Sequence, residues 1–144
     1  MPIYFEDLTV GETTEFGKYE VTQEEIVEFA ERYDPQFFHV DPEKAEETMY
    51  GGLIASGWHT ASMTMRMLVD GFLSDAASLG AKGVDELRWY RPVRPGDVLT
   101  LRNEVLEKEV ESDERGLAHV QTTTLNQSGE AVFSMVGVVM FGRE

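Results

Sequence analysis

Apolar residues first recur at helical spacing after Thr22, where Ile26, Phe29, Ala30 and Tyr33 occupy positions i, i+3, i+4 and i+7, one face of an α-helix. Thr22-Gln23-Glu24-Glu25 ahead of them has the form of a capping box. Pro35 disfavours helical geometry at Asp34 and ends the element. Asp41-Pro42 predicts an N-cap and first-turn proline for a short helix through about Met49, broken by Gly51-Gly52. A longer helix capped by Ser56 follows, with Trp58, Ala61, Met65, Leu68, Val69, Phe72 and Leu73 on a broad apolar face continuing through Ala76. So wide a face predicts a helix buried against a sheet.

Beyond Gly80 the texture becomes that of strands. Val84 to Tyr90 is one, the turn Pro95-Gly96-Asp97 follows, and Val98 to Leu106 alternates through Leu99, Leu101 and Val105. The acidic stretch Glu107 to Glu114 reads as a solvated hairpin end. Leu117 to Leu125 and Ala131 to Phe141, rich in Val and Thr, form two more strands joined at Asn126-Gln127-Ser128-Gly129. A short strand over Thr13 to Tyr19 completes the sheet. One strand, then helices, then four strands is a segregated α+β order. No repeat or linker interrupts residues 1–144, so one domain is expected.

Composition narrows the chemistry. The 144 residues carry 12 basic and 27 acidic side chains, a net charge of −15, with 42% hydrophobic residues and a pI near 4.5. Such a surface repels phosphate backbones and anionic lipid, which argues against nucleic-acid or membrane partners. With no cysteine, disulfides, thiolate metal sites and cysteine nucleophiles are removed together. The start Met1-Pro2-Ile3-Tyr4-Phe5-Glu6-Asp7 lacks the basic, then apolar, form of a signal peptide, and no apolar run reaches spanning length. A cytoplasmic enzyme or binding module is the expectation.

Asp34 and His39, five positions apart between two predicted helices, are the most informative pair. On one continuous helix they would diverge by about 140°, but a loop that begins with proline can bring them onto one wall. Carboxylate beside imidazole is a common general acid/base near neutral pH. A turn-capping Asp34 with a satisfied, partly buried His39 is the bland alternative. A metal held by Asp34, His39 and Asp41 is disfavoured, because a good transition-metal site usually wants a further His or Cys. Gly57, opening the long helix in Gly51-Gly52-Leu53-Ile54-Ala55-Ser56-Gly57, places free N–H groups at a positive helix end that suits a developing oxyanion, or it merely relieves crowding. Arg88, Arg91 and Arg94 put three of the twelve basic residues into seven positions, a local excess suited to phosphate contacts or to balancing nearby acids. His59 reads as a packing residue that could flank the pocket, and His119 as structural or exposed. Met63, Met65 and Met67 read as adaptable core or tunnel lining.

These motifs, in this order, together with Phe5-Glu6-Asp7-Leu8-Thr9-Val10-Gly11 and Arg91-Pro92-Val93-Arg94-Pro95-Gly96-Asp97, resemble the MaoC-like dehydratases, or R-specific enoyl-CoA hydratases, over nearly the whole chain. The resemblance implies a hotdog fold, with an antiparallel sheet wrapped around the long helix. It also implies a homodimer open to further assembly, a thioester tunnel near the dimer interface, and no cofactor or metal. By that resemblance Asp34 and His39 match the catalytic dyad, Gly57 the glycine whose N–H meets the thioester carbonyl, and Ser62 the helix serine. Ser56 stands where a histidine often precedes the glycine, and Gln36, Phe37 and Phe38 replace the usual Asn-Pro-Leu, which would narrow or reshape the acyl pocket.

The implied reaction is reversible syn hydration of a trans-2-enoyl-CoA, or of the same acyl group on an acyl carrier protein, to the R 3-hydroxyacyl thioester. Two other readings compete. A hotdog acyl-CoA thioesterase uses the same scaffold, though the Asp-x4-His loop argues against it, and a noncatalytic acyl-thioester-binding subunit would keep the fold without turnover.

Overall fold

The computed structural model describes residues 2–144. Strand β1 (Thr13–Glu20) leads into helix α1 (Gln23–Tyr33), two single-turn helices α2 (Phe37–Val40) and α3 (Pro42–Ala45), and the long helix α4 (Gly57–Gly71). Strands β2 (Ser78–Trp89), β3 (Val98–Val110), β4 (Arg115–Leu125) and β5 (Ala131–Gly142) follow. The five strands form one antiparallel sheet in the order β1-β3-β4-β5-β2. Met63, Met67 and Leu68 of α4 pack against Leu99, Leu101, Val132 and Phe133 of the sheet in the main core. This is the hotdog arrangement. A second core at the far end joins Phe5 and Leu8 to Ala118, Val120 and Phe141.

Local chemistry explains where the elements begin and end. The Thr22 hydroxyl caps α1 by accepting from the Glu25 N–H at 3.2 Å, but the Glu25 carboxylate turns instead to Tyr19 and His59, so only half of the expected capping box forms. Asp41 caps α3 as anticipated, accepting from the N–H groups of Glu43 and Lys44. That helix ends at Ala45 rather than near Met49, with the chain passing into turns. The His39 turn α2 was too short to announce itself by periodicity.

The buried face of α4 differs from the one read off the apolar residues. His59, Thr60, Met63, Thr64, Met67 and Leu68 are buried, whereas Trp58 is 59% exposed, Met65 43% and Val69 38%. The stripe is rotated because two threonines enter the core with partners: Thr64 Oγ1 lies 2.6 Å from Thr124 Oγ1 on β4. The helix stops at Gly71 and not at Ala76, and the ring of Phe16 occupies the space a Cβ at position 71 would need. The strands run longer than their alternation suggested. β2 begins at Ser78, six residues early, because it is an edge strand exposed along most of its length and carries no period-two pattern. Half of the acidic stretch, Glu107 to Val110, belongs to β3. In β2 the register slips between Asp85 and Arg88, where Glu86 takes a φ of 49°, a left-handed conformation typical of bulges.

The Thr64–Thr124 bond is fully buried. Thr64→Val leaves the Thr124 hydroxyl unpaired and is expected to lower stability by about 1–3 kcal/mol, while Thr64→Val with Thr124→Val recovers much of that loss. Urea midpoints of the two single variants and the double variant check it.

Candidate active site

The end of α1 and the start of α4 meet in one cleft. Asp34 is the C-terminal cap of α1, its N–H bonded to the Ala30 carbonyl. Pro35 then turns the chain, so that Gln36 donates back to Asp34 Oδ1 at 2.8 Å. Ser56, fully buried, donates its hydroxyl proton to Asp34 Oδ2 at 2.7 Å and accepts from the Trp58 N–H at 3.3 Å. Serine at this position therefore caps α4 and holds the carboxylate against the positive helix end.

His39 is 4% exposed and is clasped from behind. Its Nδ1 lies 2.7 Å from the Ile54 carbonyl, while the Ile54 N–H donates to the Phe38 carbonyl at 3.2 Å. A carbonyl only accepts, so Nδ1 carries a proton and the neutral ring presents a bare Nε2. That nitrogen faces Asp34 Oδ2 at 3.4 Å, longer than a well-made hydrogen bond. Two acceptors thus converge without bonding each other, an arrangement suited to one molecule that donates twice. Burial alone would raise the Asp34 pKa, but hydrogen bonds from Ser56 and Gln36 oppose it, and the carboxyl is held below its usual range.

The pair opens on a cavity of about 440 Å³ shared with Gly57, Phe38, Tyr50, Trp58, Trp89, Tyr90 and Arg91. As the first residue of α4, Gly57 has no intrahelical acceptor for its N–H, and among the described residues that group bonds to nothing. The Trp89 indole packs against it. A Cβ at position 57 would sit 2.7 Å from Trp89 Cε2, and Trp89 Nε1 donates to the Gly57 carbonyl at 2.8 Å.

The other candidates from the sequence distribute differently. Ser62 is exposed and donates to the Trp58 carbonyl at 2.8 Å; it lines a neighbouring groove with Tyr19, Glu25 and His59, so the structure does not bring it to the pair. Of the three arginines only Arg91 lines the cavity, where it is paired with Glu130 at 3.1 Å. Arg88 reaches the Leu87 carbonyl on β2, and Arg94 lies beside Gly52. Asp41 is spent on capping α3. Trp89, Tyr90 and Tyr50 were not anticipated as site residues. Trp89 and Tyr90 gave one signal, an aromatic pair directly before the Arg91-Pro92-Val93-Arg94 run that reads equally as strand core, and Tyr50 gave none.

A model of the MaoC-like domain matches residues 6–127. The chain belongs to the MaoC-like domain family. Over 99% of this MaoC-like chain and 98% of the other, its fold superposes on the crystal structure of the MaoC-like dehydratase from Rhodospirillum rubrum, at 40% identity and a TM-score of 0.91. The R-hydratase PhaJ1 from Pseudomonas aeruginosa matches 99% of the chain, and 88% of its own, at 25% identity and a TM-score of 0.80. Protein YdeM of Bacillus subtilis is 33% identical over 129 residues, covering 89% of this chain and 91% of its own.

Ser56→Ala removes both the α4 cap and a donor to Asp34. The expected outcome is a loss of about 1 kcal/mol from the cap and an upward move of the Asp34 pKa. The sign follows from linkage: a carboxyl held low in the folded state adds stability that is present above its unfolded pKa and is lost as pH falls through the folded value. The variant should therefore show a smaller Asp34 share of that pH dependence, with Gln36 still bonded to the carboxylate. An NMR titration of the Asp34 carboxyl, with urea melts at pH 7 and pH 4, checks it; an unmoved midpoint would refute the role of the hydroxyl.

Proposed function

We propose that this MaoC-like protein catalyses the reversible syn hydration of a trans-2-enoyl thioester, carried by CoA or by an acyl carrier protein, to a 3-hydroxyacyl thioester of R configuration. The observation that carries this reading is the bare His39 Nε2 set 3.4 Å from a carboxylate oxygen of Asp34, in the cavity that Gly57 also lines. A water held by both acceptors is oriented with its oxygen lone pair outward. As that oxygen bonds C3, Asp34 takes one proton, His39 holds the other O–H, and the C2–C3 π electrons move toward the thioester oxygen. The Gly57 N–H and the helix end stabilise the charge that develops there. The electrons then return to bond C2 to a proton delivered from the pair on the same face. No further reactant is needed, and the reverse sequence dehydrates.

The aromatic lining of Phe38, Tyr50, Trp58, Trp89 and Tyr90 supports a compact apolar acyl group next to the thioester. Arg91, with Arg88 and Arg94 beyond it, is the proposed contact for CoA phosphates. The exposed edge β2, with Leu79 53% and Val84 48% exposed, supports assembly as a homodimer. The acidic composition, and a described structure in which no helix is long and apolar enough to cross a membrane, accord with action in the cytoplasm.

The test is the ultraviolet absorbance of the conjugated double bond, followed with short, branched and aromatic enoyl-CoAs while free thiol is monitored. Absorbance is expected to fall without thiol release. Asp34→Asn and His39→Ala should each lower kcat by roughly 10²- to 10⁴-fold. Thiol release would make the protein a thioesterase, and full activity in both variants would refute the assignment.

A further inference from the structure

Outside the pair, a second histidine–carboxylate contact joins α1 to α4, with its imidazole buried and its carboxylate half-exposed. His59, in the first turn of α4, is 2% exposed. Its Nε2 lies 3.0 Å from Glu25 Oε1 in the first turn of α1, and its ring stacks on Phe29 of the next α1 turn at 4.7 Å and 13°. The Tyr19 hydroxyl of β1 donates to the same Glu25 oxygen. Burial and that bond push the tyrosine pKa up to about 12, so it stays a donor. Burial acts to raise the Glu25 pKa, but the bonds from Tyr19 and His59 outweigh it and hold the carboxyl low, so it stays an acceptor.

His59 Nδ1, by contrast, is buried without a hydrogen-bond partner among the described residues. An imidazole kept in the core with one nitrogen unsatisfied is a worse core residue than a leucine of similar size, so packing alone does not account for it. What the residue does supply is a directional bond between the two helices whose ends form the cleft. Asp34 closes α1 and is tied to Ser56 at the start of α4, while Glu25 opens α1 and is tied to His59 three residues further along α4. Both ends of α1 are thus attached to α4, the helix whose first residue brings the Gly57 N–H beside Asp34 and His39.

We propose that His59, through its bond to Glu25, is a positioning residue for the Asp34–His39 pair. The inference rests on the hydratase reading for its kinetic consequence and on the structure alone for its spectroscopic one. His59→Leu keeps the volume and removes the bond, and His59→Gln places an amide N–H near the position of Nε2. In steady-state hydration, His59→Leu is expected to lower kcat 10- to 100-fold, the scale of a small misplacement of reacting groups. KM should change less than about threefold, and His59→Gln should recover most of kcat. In proton–nitrogen spectra of the imidazoles, the His39 Nδ1–H signal should shift or broaden in His59→Leu and return in His59→Gln.

Wild-type kcat with an unmoved His39 signal in His59→Leu would overturn the proposal, as would equal impairment of the two variants. Absence of hydration by the wild-type protein would refute the hydratase reading only, and the His39 signal would then decide the positioning role by itself. Should His59→Leu not fold, the isosteric Glu25→Gln takes its place: a smaller change in the same direction supports the proposal, and none overturns it.

Discussion

A carboxylate and a helix N-terminus attract each other over several ångströms, and here one buried hydroxyl turns that attraction into a fixed geometry. Ser56 must give its proton to Asp34, because an ionised carboxylate only accepts, and the lone pair left over is what caps α4. The direction of one O–H thus settles where the long helix begins, which way the Asp34 carboxylate faces, and which carboxylate oxygen meets His39. The rest of the cleft is arranged around it, with Gln36 on the other carboxylate oxygen and the Ile54 carbonyl behind the imidazole.

How much of this the sequence carried depended on the range of the interaction. The Asp34–Pro35 break, the Asp41 cap and the glycine opening α4 are local, and the order of neighbouring residues placed them. The nearness of Asp34 and His39 was legible for the same reason, since five residues of loop can hardly separate them far. The Ser56 hydroxyl reaches across 22 residues and the Trp89 indole across 32, and no spacing rule encodes either. Ser56 read as a departure from a familiar pattern when it was in fact an anchor. Ser62 shows the converse: on the right helix and near the right residue, it faces another groove.

The fold followed the same division. Class and the order of elements along the chain came from the change of period, and β3, β4 and β5 were placed because one of their faces is buried. β2 was truncated because an exposed edge strand has no reason to alternate. The orientation of α4 was misjudged because hydrophobicity was taken as the measure of burial. Thr60, Thr64 and His59 lie inside, whereas Trp58 and Met65 lie outside. A helix lying over a sheet that carries its own buried hydroxyls, such as Thr124, can bury polar residues as matched pairs.

The chain contains two tryptophans, and both stand in the wall of the same cavity, edge to face with ring centres 5.1 Å apart. One is bonded to the carbonyl of Gly57 and the other follows that glycine in the helix. Tryptophan emission, excited at wavelengths that tyrosine does not absorb, therefore originates at the cleft. The fold carries an intrinsic optical probe whose intensity and wavelength register whatever enters beside Asp34 and His39, so occupancy can be followed on the unlabelled chain before any substrate has been identified.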